Sequence, residues 1–342
     1  MDMDNEKNLI TGIAKHLPKC KDQLNHLFES DSEIVPFLFS KMLFTVDEFS
    51  AEDHFREEDP FLLGWNLAAA TISDIYASGG YPVYFGHSLV IEKDVWNEDF
   101  LDLLSKGIAA VLRETNTCFI GGDFGFSNQW HYSGIAIGTA EKTLMRTGTK
   151  PGEIIIMTGK AGAGNLEAAL KHFETKESIS QIKNHYPISF ILRVKESVLI
   201  NRFATSCIDS SDGIVNALLT IAEINRVGFR VKDLSYVFEA EEVCKLLSLP
   251  PEILFLGECG EYELVFTIQE NELSSFEREA EQMNLSFSVI GQITESPQKM
   301  LITSGLQIDL TDFNIRGRNF EDEDDYLTAL IKYLNVHTTR IH

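Results

Sequence analysis

Carboxylates spaced beside serine and glycine are the residues of this 342-residue chain best suited to chemistry. In Cys207-Ile208-Asp209-Ser210-Ser211-Asp212-Gly213-Ile214, two aspartates stand three residues apart around a pair of serines, with glycine behind them. Phe203-Ala204 leads in, and Ile214, Ala217, Leu218 and Ile221 follow at helical spacing. Two carboxylates brought together repel unless a cation or a proton lies between them. Hard oxygen donors of this kind suit Mg²⁺, which keeps several waters and is shared with substrate phosphates. Taken alone, the stretch reads more simply, with Asp212 capping a helix and Asp209 in a turn.

Other acidic corners bear on that choice. The apolar run Phe37 to Val46 has strand character and ends at Asp47, with Glu48, Glu52, Asp53 and His54 behind it. A helix is predicted over Pro60 to Ala77, with Leu63, Leu67, Ala70, Thr71 and Ile75 on one face and Gly79-Gly80 as its stop. Asp74 falls near the C-terminal end of that helix, where the dipole disfavours a carboxylate, so a cation or a basic side chain must hold it. Cys118-Phe119-Ile120 leads into Gly121-Gly122-Asp123, a third carboxylate expected at a strand end. Five such aspartates at element ends, with no Ser-His or Cys-His pair in evidence, point to metal-assisted phosphoryl transfer.

The elements that would position them alternate irregularly. Further helices are predicted over residues 6–29, 100–115 and 326–334, and strands over 84–91, 132–139, 154–158, 228–231, 264–267, 285–293 and 299–302. The strand–helix–strand–strand order with few tight hairpins indicates an α+β protein. A turn-rich stretch, Arg146 to Glu153, divides it into expected domains of residues 1–142 and 143–342. Gly159 to Asn165 opens a helix and could bind an anion through free N–H groups, although it is neither a P-loop nor a dinucleotide fingerprint.

With 29 Lys+Arg against 52 Asp+Glu, the chain carries a net charge of −23. Such a surface repels nucleic acid, so a phosphorylated ligand must be recruited locally by metal, backbone amides or a few basic residues. The five cysteines form no C-x-x-C, no secretory signal is evident, and no apolar run approaches the roughly 18 residues of a membrane span. A cytoplasmic protein without membrane or nucleic-acid partners is expected.

Five segments resemble the thiamine-monophosphate kinase family, in the superfamily of aminoimidazole ribonucleotide synthetase. They are Thr45-Val46-Asp47 with Glu52 and His54-Phe55; Leu63-Gly64 through Ser73-Asp74-Ile75 to Pro82; Gly121-Gly122-Asp123; Arg146-Thr147-Gly148 to Gly159; and Ile208 to Gly213. Glu261-Tyr262-Glu263-Leu264 resembles the piece most particular to this kinase. The resemblance implies a two-domain aminoimidazole ribonucleotide synthetase-like fold, with N-terminal domains forming a β-barrel across a homodimer. It implies ATP and Mg²⁺ as cofactors and a phosphorylated small molecule, thiamine monophosphate, as acceptor. It makes Asp47, Asp74, Asp123, Asp209 and Asp212 metal ligands, the last two also catalytic. It assigns Asp31, Thr45, Gly121, Gly122, Arg146 and Ser211 to the nucleotide, and His54, Glu261, Tyr262 and Phe320 to the acceptor.

The chain departs from the pattern at several places. Glu29-Ser30-Asp31 stands for an acidic pair, Asn66 for a lysine, Phe124-Gly125-Phe126 for a segment with arginine, and Gly317-Arg318-Asn319-Phe320 for an aromatic motif. Carboxylates are kept better than acceptor-binding groups. The alternatives are therefore a same-fold ATP-dependent enzyme with another acceptor, or a non-catalytic nucleotide-binding homologue.

Overall fold

The computed structural model describes residues 8, 10, 11, 20–37, 40–92, 95–186, 189–232, 234–303 and 305–340. Of the helix expected over 6–29, residues 8, 10 and 11 are helical, 20–29 are turn, bend and irregular chain, and the remaining positions lie outside the described residues.

Strands β1 (Glu33–Phe37), β2 (Ser40–Ser50), β3 (Tyr81–Glu92), β4 (Cys118–Ser127) and β5 (His131–Ala140) form one sheet in the order β1-β2-β5-β3-β4. All pairs are antiparallel except β3 with β4. The apolar run from Phe37 thus belongs to two strands, and two expected strand ends move. β2 continues past Asp47 because β5 pairs with it as far as Ser50. β4 continues past Asp123 because β3 pairs with it as far as Ser127.

Helix α1 (Pro60–Ala77) lies on one face of this sheet, and α2 (Glu98–Glu114) packs against α1. Asp59 caps α1 by accepting from the N–H groups of Phe61 and Leu62 at 3.1 Å each, and Pro60 supplies a preset φ at its first position. The helix ends at Ser78, ahead of Gly79 at φ 77°. Between these stops nearly every side chain is buried, because sheet, α2 and the second half of the chain enclose it. The alternation of β2 sends Leu43, Thr45, Asp47 and Phe49 to the helix side and Phe44 and Val46 outward.

The rest of the chain builds an eight-stranded sheet, ordered β13-β12-β11-β8-β10-β6-β9-β7. Its strands are β6 (Ile154–Thr158), β7 (Ser206–Asp209), β8 (Gly228–Val231), β9 (Leu264–Ile268), β10 (Phe287–Thr294), β11 (Lys299–Thr303), β12 (Leu306–Asp309) and β13 (Thr338–Arg340). Its helices are α3 (Ala163–His172), α4 (Glu177–His185), α5 (Val194–Phe203), α6 (Ile214–Asn225), α7 (Phe238–Leu247), α8 (Ile253–Leu256), α9 (Leu273–Gln282) and α10 (Glu323–His337). Among the described residues, no helix is long and apolar enough to cross a membrane.

One hydrophobic core runs through both halves, joining Leu67, Ile72 and Ile75 of α1 to Ile156, Leu199, Cys207, Leu264 and Phe266. Polar contacts fix the same junction. Arg56 pairs with Glu167 of α3 in bidentate fashion at 2.5 and 2.6 Å and donates to the carbonyls of Lys183 and Tyr186 at 3.1 Å each. The Trp65 indole donates to the Phe190 carbonyl at 2.8 Å, and Asn66 accepts from the Phe190 N–H at 2.9 Å.

Where α1 and α2 cross, a Cβ on Gly64 would lie 2.0 Å from the Leu104 carbonyl oxygen and one on Gly107 would lie 2.1 Å from that of Phe61. Both obstacles are backbone, so the helices would have to separate. Gly64→Ala and Gly107→Ala should each cost about 1–3 kcal/mol in urea unfolding. Unchanged midpoints in both variants would contradict the close crossing.

Candidate metal-phosphate site

β7 ends at Asp209, where the second sheet meets α1. The side chain is 2 % exposed, and neither carboxylate oxygen finds a hydrogen-bond donor among the described residues. Asp74 reaches the same place from the last turns of α1, and Asp31 from the segment before β1. One oxygen from each of these three residues lies within 4.8 Å of the others. Asp47, on the helix side of β2, adds its charge to the group.

Four acids in so small a space would not all ionise without help. Burial, then the charges of Asp209 and Asp31, raises the Asp47 carboxyl well above the usual range. Burial, then Asp47, Asp209 and Asp31, does the same to Asp74. Burial, then Asp31, pushes Asp209 up to about 7. The counterweights are few. Thr45 donates its hydroxyl to Asp74, and Arg146 holds Asp31 at 2.6 and 3.1 Å. Burial works against the charge of Arg146, but Asp31 more than restores it. The helix-dipole argument for Asp74 thus ends in a hydroxyl and neighbouring acids, with the basic partner on Asp31.

The capping alternative for the central motif is not what the fold uses. Gly213, at φ 81°, is the N-cap of α6, and no side chain caps it. Asp212 lies exposed in the turn, where its carbonyl accepts from the Asn216 amide at 2.7 Å, and Ser211 is exposed beside it. The charge of Asp212 acts on Asp53 and Glu258, which places all three around the rim of the acidic cleft.

Asp123 does not join the gathering within one chain. It is exposed on β4 and lines a groove on the open face of the first sheet with Gly121, Gly122, Tyr84, Ile135 and Ile137. Nothing stands within 4 Å of a Cβ built on Gly121, whose φ is 139°.

The expected acceptor residues divide in the same way. Tyr262 is buried against Phe190 and Phe55, with ring centroids 4.4 and 5.7 Å away, and its phenol senses Asp53, Asp47, Asp209 and Asp212. His54 stands 4.0 Å from Glu323, burial lowers its pKa, and its buried Nδ1 has no partner among the described residues. Phe320 sits beside Tyr326 at 5.8 Å, after the turn in which the Gly317 N–H donates to Glu258. Glu261 instead turns inward. Its carboxylate accepts from the N–H groups of Gly162 and Ala163 at 2.8 Å each and of Gly164 at 3.4 Å. The free N–H groups of the glycine-rich loop are thus taken up by a side chain of the same protein.

The Arg56–Glu167 and Arg193–Glu263 pairings were not read from the sequence. Each pair joins residues 70 or more positions apart, so no local pattern announces them.

The donors around Asp209 are all oxygens and some are unpaired, which fits a hard divalent cation such as Mg²⁺. Without a cation, the cluster carries a signature in stability. Below about pH 7 the folded state keeps a proton on Asp209 that the unfolded chain loses near the ordinary aspartate value of 3.8. Over that window the unfolded state binds fewer protons, so stability falls as pH rises. In chelator, the melting temperature should therefore rise on acidification from about pH 8 to about pH 6, and Asp209→Asn should flatten that rise. Equal slopes in both proteins would contradict the assignment.

Residues 33–140 match the family model of the N-terminal domain of AIR synthase related proteins, and residues 150–303 match that of the C-terminal domain. The chain is 30% identical over 277 residues to the thiamine-monophosphate kinase of Pyrococcus horikoshii, covering 79% of this chain and 84% of that one. It is 27% identical over 310 residues to that of Pyrococcus abyssi, covering 89% and 92%. Its fold is similar to a solved structure of AaThiL complexed with AMPPCP and TMP, with a TM-score of 0.73, 21% identity, and coverage of 88% and 93%. The two-domain α+β architecture is that of the AIR synthase related proteins, and the chain belongs to the thiamine-monophosphate kinase family.

Proposed function

We propose that this protein transfers the γ-phosphate of ATP directly to the phosphate of thiamine monophosphate, giving thiamine diphosphate. The observation that carries the reading is the buried cluster of Asp31, Asp74 and Asp209, with Asp47 beside it. A chain that gathers so many carboxylates with so little counter-charge is built to receive a cation. In this reading Asp31, Asp47, Asp74 and Asp209 hold Mg²⁺, and Asp212 works from the rim. When bound, Mg²⁺ neutralises charge on the nucleotide phosphates. Arg146 and Thr45 orient the carboxylates from the nucleotide side, and Ser211 adds a hydroxyl at the same corner. Tyr262, with His54 and Phe320 along the cleft, faces the acceptor. No side chain is assigned as a nucleophile, so the protein's part is to position two phosphates in line and exclude water.

The acceptor rests on the relatives' names and on Tyr262, and one observation favours a second reading. Asn66, in place of the expected lysine, accepts from the Phe190 N–H at 2.9 Å and donates to the Phe55 carbonyl at 3.4 Å. A phosphate-binding cation has given way to an amide that braces two aromatic residues, as a different acceptor would require.

The reading includes domains of residues 1–142 and 143–342, and a homodimer formed through the open face of the first sheet. Phe44, Val46 and Tyr84 are exposed on that face, and β4, which among the described residues pairs only with β3, carries the exposed Phe124 and Phe126 at the sheet's edge, in register with Leu89 and Ile91 of the opposite face. A contiguous apolar face with a free edge is what a partner sheet covers. Any contribution of Asp123, Gly121 and Gly122 belongs to that assembly.

Incubation with Mg·ATP and thiamine monophosphate should yield thiamine diphosphate on chromatography; ADP release with another acceptor and none with this one would favour the second reading. Asp209→Asn should lower turnover by about a hundredfold or more, at least the upper end of the ~10–100-fold seen for groups that only support a metal ligand. The double variant Phe124→Ser, Phe126→Ser should sediment as a monomer, whereas wild type should sediment as a dimer. A monomeric wild type would remove the dimer from the reading.

A further inference from the structure

We propose that Glu261 is a positioning residue for the transfer: its carboxyl group accepts from the N–H groups at the N-terminus of α3 and thereby sets Tyr262 against the acidic cleft. The kinetic part of this inference rests on the proposed reaction; the N–H cradle does not.

Helix α3 begins at Gly162, φ 99°, which offers no side chain to cap it. The first three N–H groups would be orphans in a buried place, and Glu261 satisfies them with both oxygens. The approach is tight, since a Cβ on Gly164 would lie 2.2 Å from the Gly260 carbonyl oxygen. Burial outweighs the pull of the three backbone donors and leaves the Glu261 carboxyl raised to about 8, so its oxygens serve the cradle as hydrogen-bond acceptors.

The main chain of Glu261 is tied to the metal corner. Its N–H donates to the Ser210 carbonyl at 2.9 Å, and the Ser210 N–H donates to the Glu263 carbonyl at 2.9 Å. Ser210 directly follows Asp209. Between these ties stands Tyr262 at φ 52°, a left-handed conformation that an aromatic residue adopts only when its neighbours enforce it. On the far side, Glu263 is fixed by Arg193 at 2.7 Å and by the Thr158 hydroxyl. Glu261 is the matching anchor on the near side. Without it, Tyr262 is free to relax toward ordinary backbone angles, which would withdraw its ring from Phe55 and Phe190 and its phenol from the aspartates.

A plain structural cap would affect both substrates alike through the folded fraction. A positioning residue acts on the acceptor. Glu261→Ala should raise the KM for thiamine monophosphate by about tenfold or more while the KM for ATP stays within about twofold. The vacated cradle keeps three N–H donors and the helix dipole, so formate should restore the acceptor KM. Formate should also raise the melting temperature of Glu261→Ala and not that of wild type, a readout independent of the acceptor. An unchanged acceptor KM, or a folded Glu261→Ala that formate neither stabilises nor rescues, overturns the proposal. If Glu261→Ala does not fold, Glu261→Gln, which turns an amide N–H₂ toward one donor, must give the same KM split; wild-type values there overturn it. A wild type inactive on thiamine monophosphate would end the acceptor reading and leave the formate stabilisation to decide the cradle.

Discussion

Repulsion among buried carboxylates is the constraint around which this molecule is arranged. Asp31, Asp47, Asp74 and Asp209 arrive from four separate parts of the chain, and among the described residues the counterweights are Arg146 and a few hydroxyls, those of Thr45, Ser73 and Ser211. Left to itself, such a group would be relieved by a proton, by opening of the site or by a cation. The site cannot open cheaply, because every element that carries an aspartate is fixed elsewhere. Asp74 rides on a helix buried on nearly all sides, and Asp209 ends a strand in the second sheet. Protons and cations therefore compete for the same oxygens.

The frame that resists this repulsion is assembled across the two halves. The shared core, the Arg56–Glu167 fork and the contacts of Trp65 and Asn66 with Phe190 all join the first sheet's helix to the second half. Removing one partner from a buried ion pair is costly, since it strands the other charge in a low-dielectric place. These contacts surround the cleft in which Phe55, Phe190 and Tyr262 pack together. Rigidity is thus spent where two phosphates would have to be held in line. Glu261 extends the same logic, since it supplies from inside the chain the acceptor oxygens that the N–H groups of a helix N-terminus require.

Much of this was legible in the sequence where the information was local. Helical spacing placed Asp74 near the end of α1, and the apolar lead-in placed Asp209 at the end of β7. The position of Asp47 was less legible. A strand was expected to stop there, whereas β5 pairs with β2 for three further residues. Alternation within β2 then decides which way Asp47 points, and that depends on the pairing. Asp123 was illegible for a related reason, since nothing in Gly121-Gly122-Asp123 tells which face of the sheet it takes. The glycine loop was read as able to bind an anion through free N–H groups, but those groups meet Glu261, which lies 99 positions from Gly162, beyond the reach of any spacing rule. Helices α4, α5, α7, α8 and α9 and strands β12 and β13 were likewise missed, being short elements whose pattern is set by tertiary packing.

Proton counting tests the central claim most directly. If the aspartates are kept protonated by their mutual repulsion, Mg²⁺ and a non-hydrolysable ATP analogue must displace those protons on binding. Calorimetric titration at about pH 7 in two buffers of different ionisation enthalpy measures the number released. Net proton release in wild type, reduced in Asp209→Asn, is the expected result. Binding of the metal–nucleotide with no proton exchanged in either protein would contradict it.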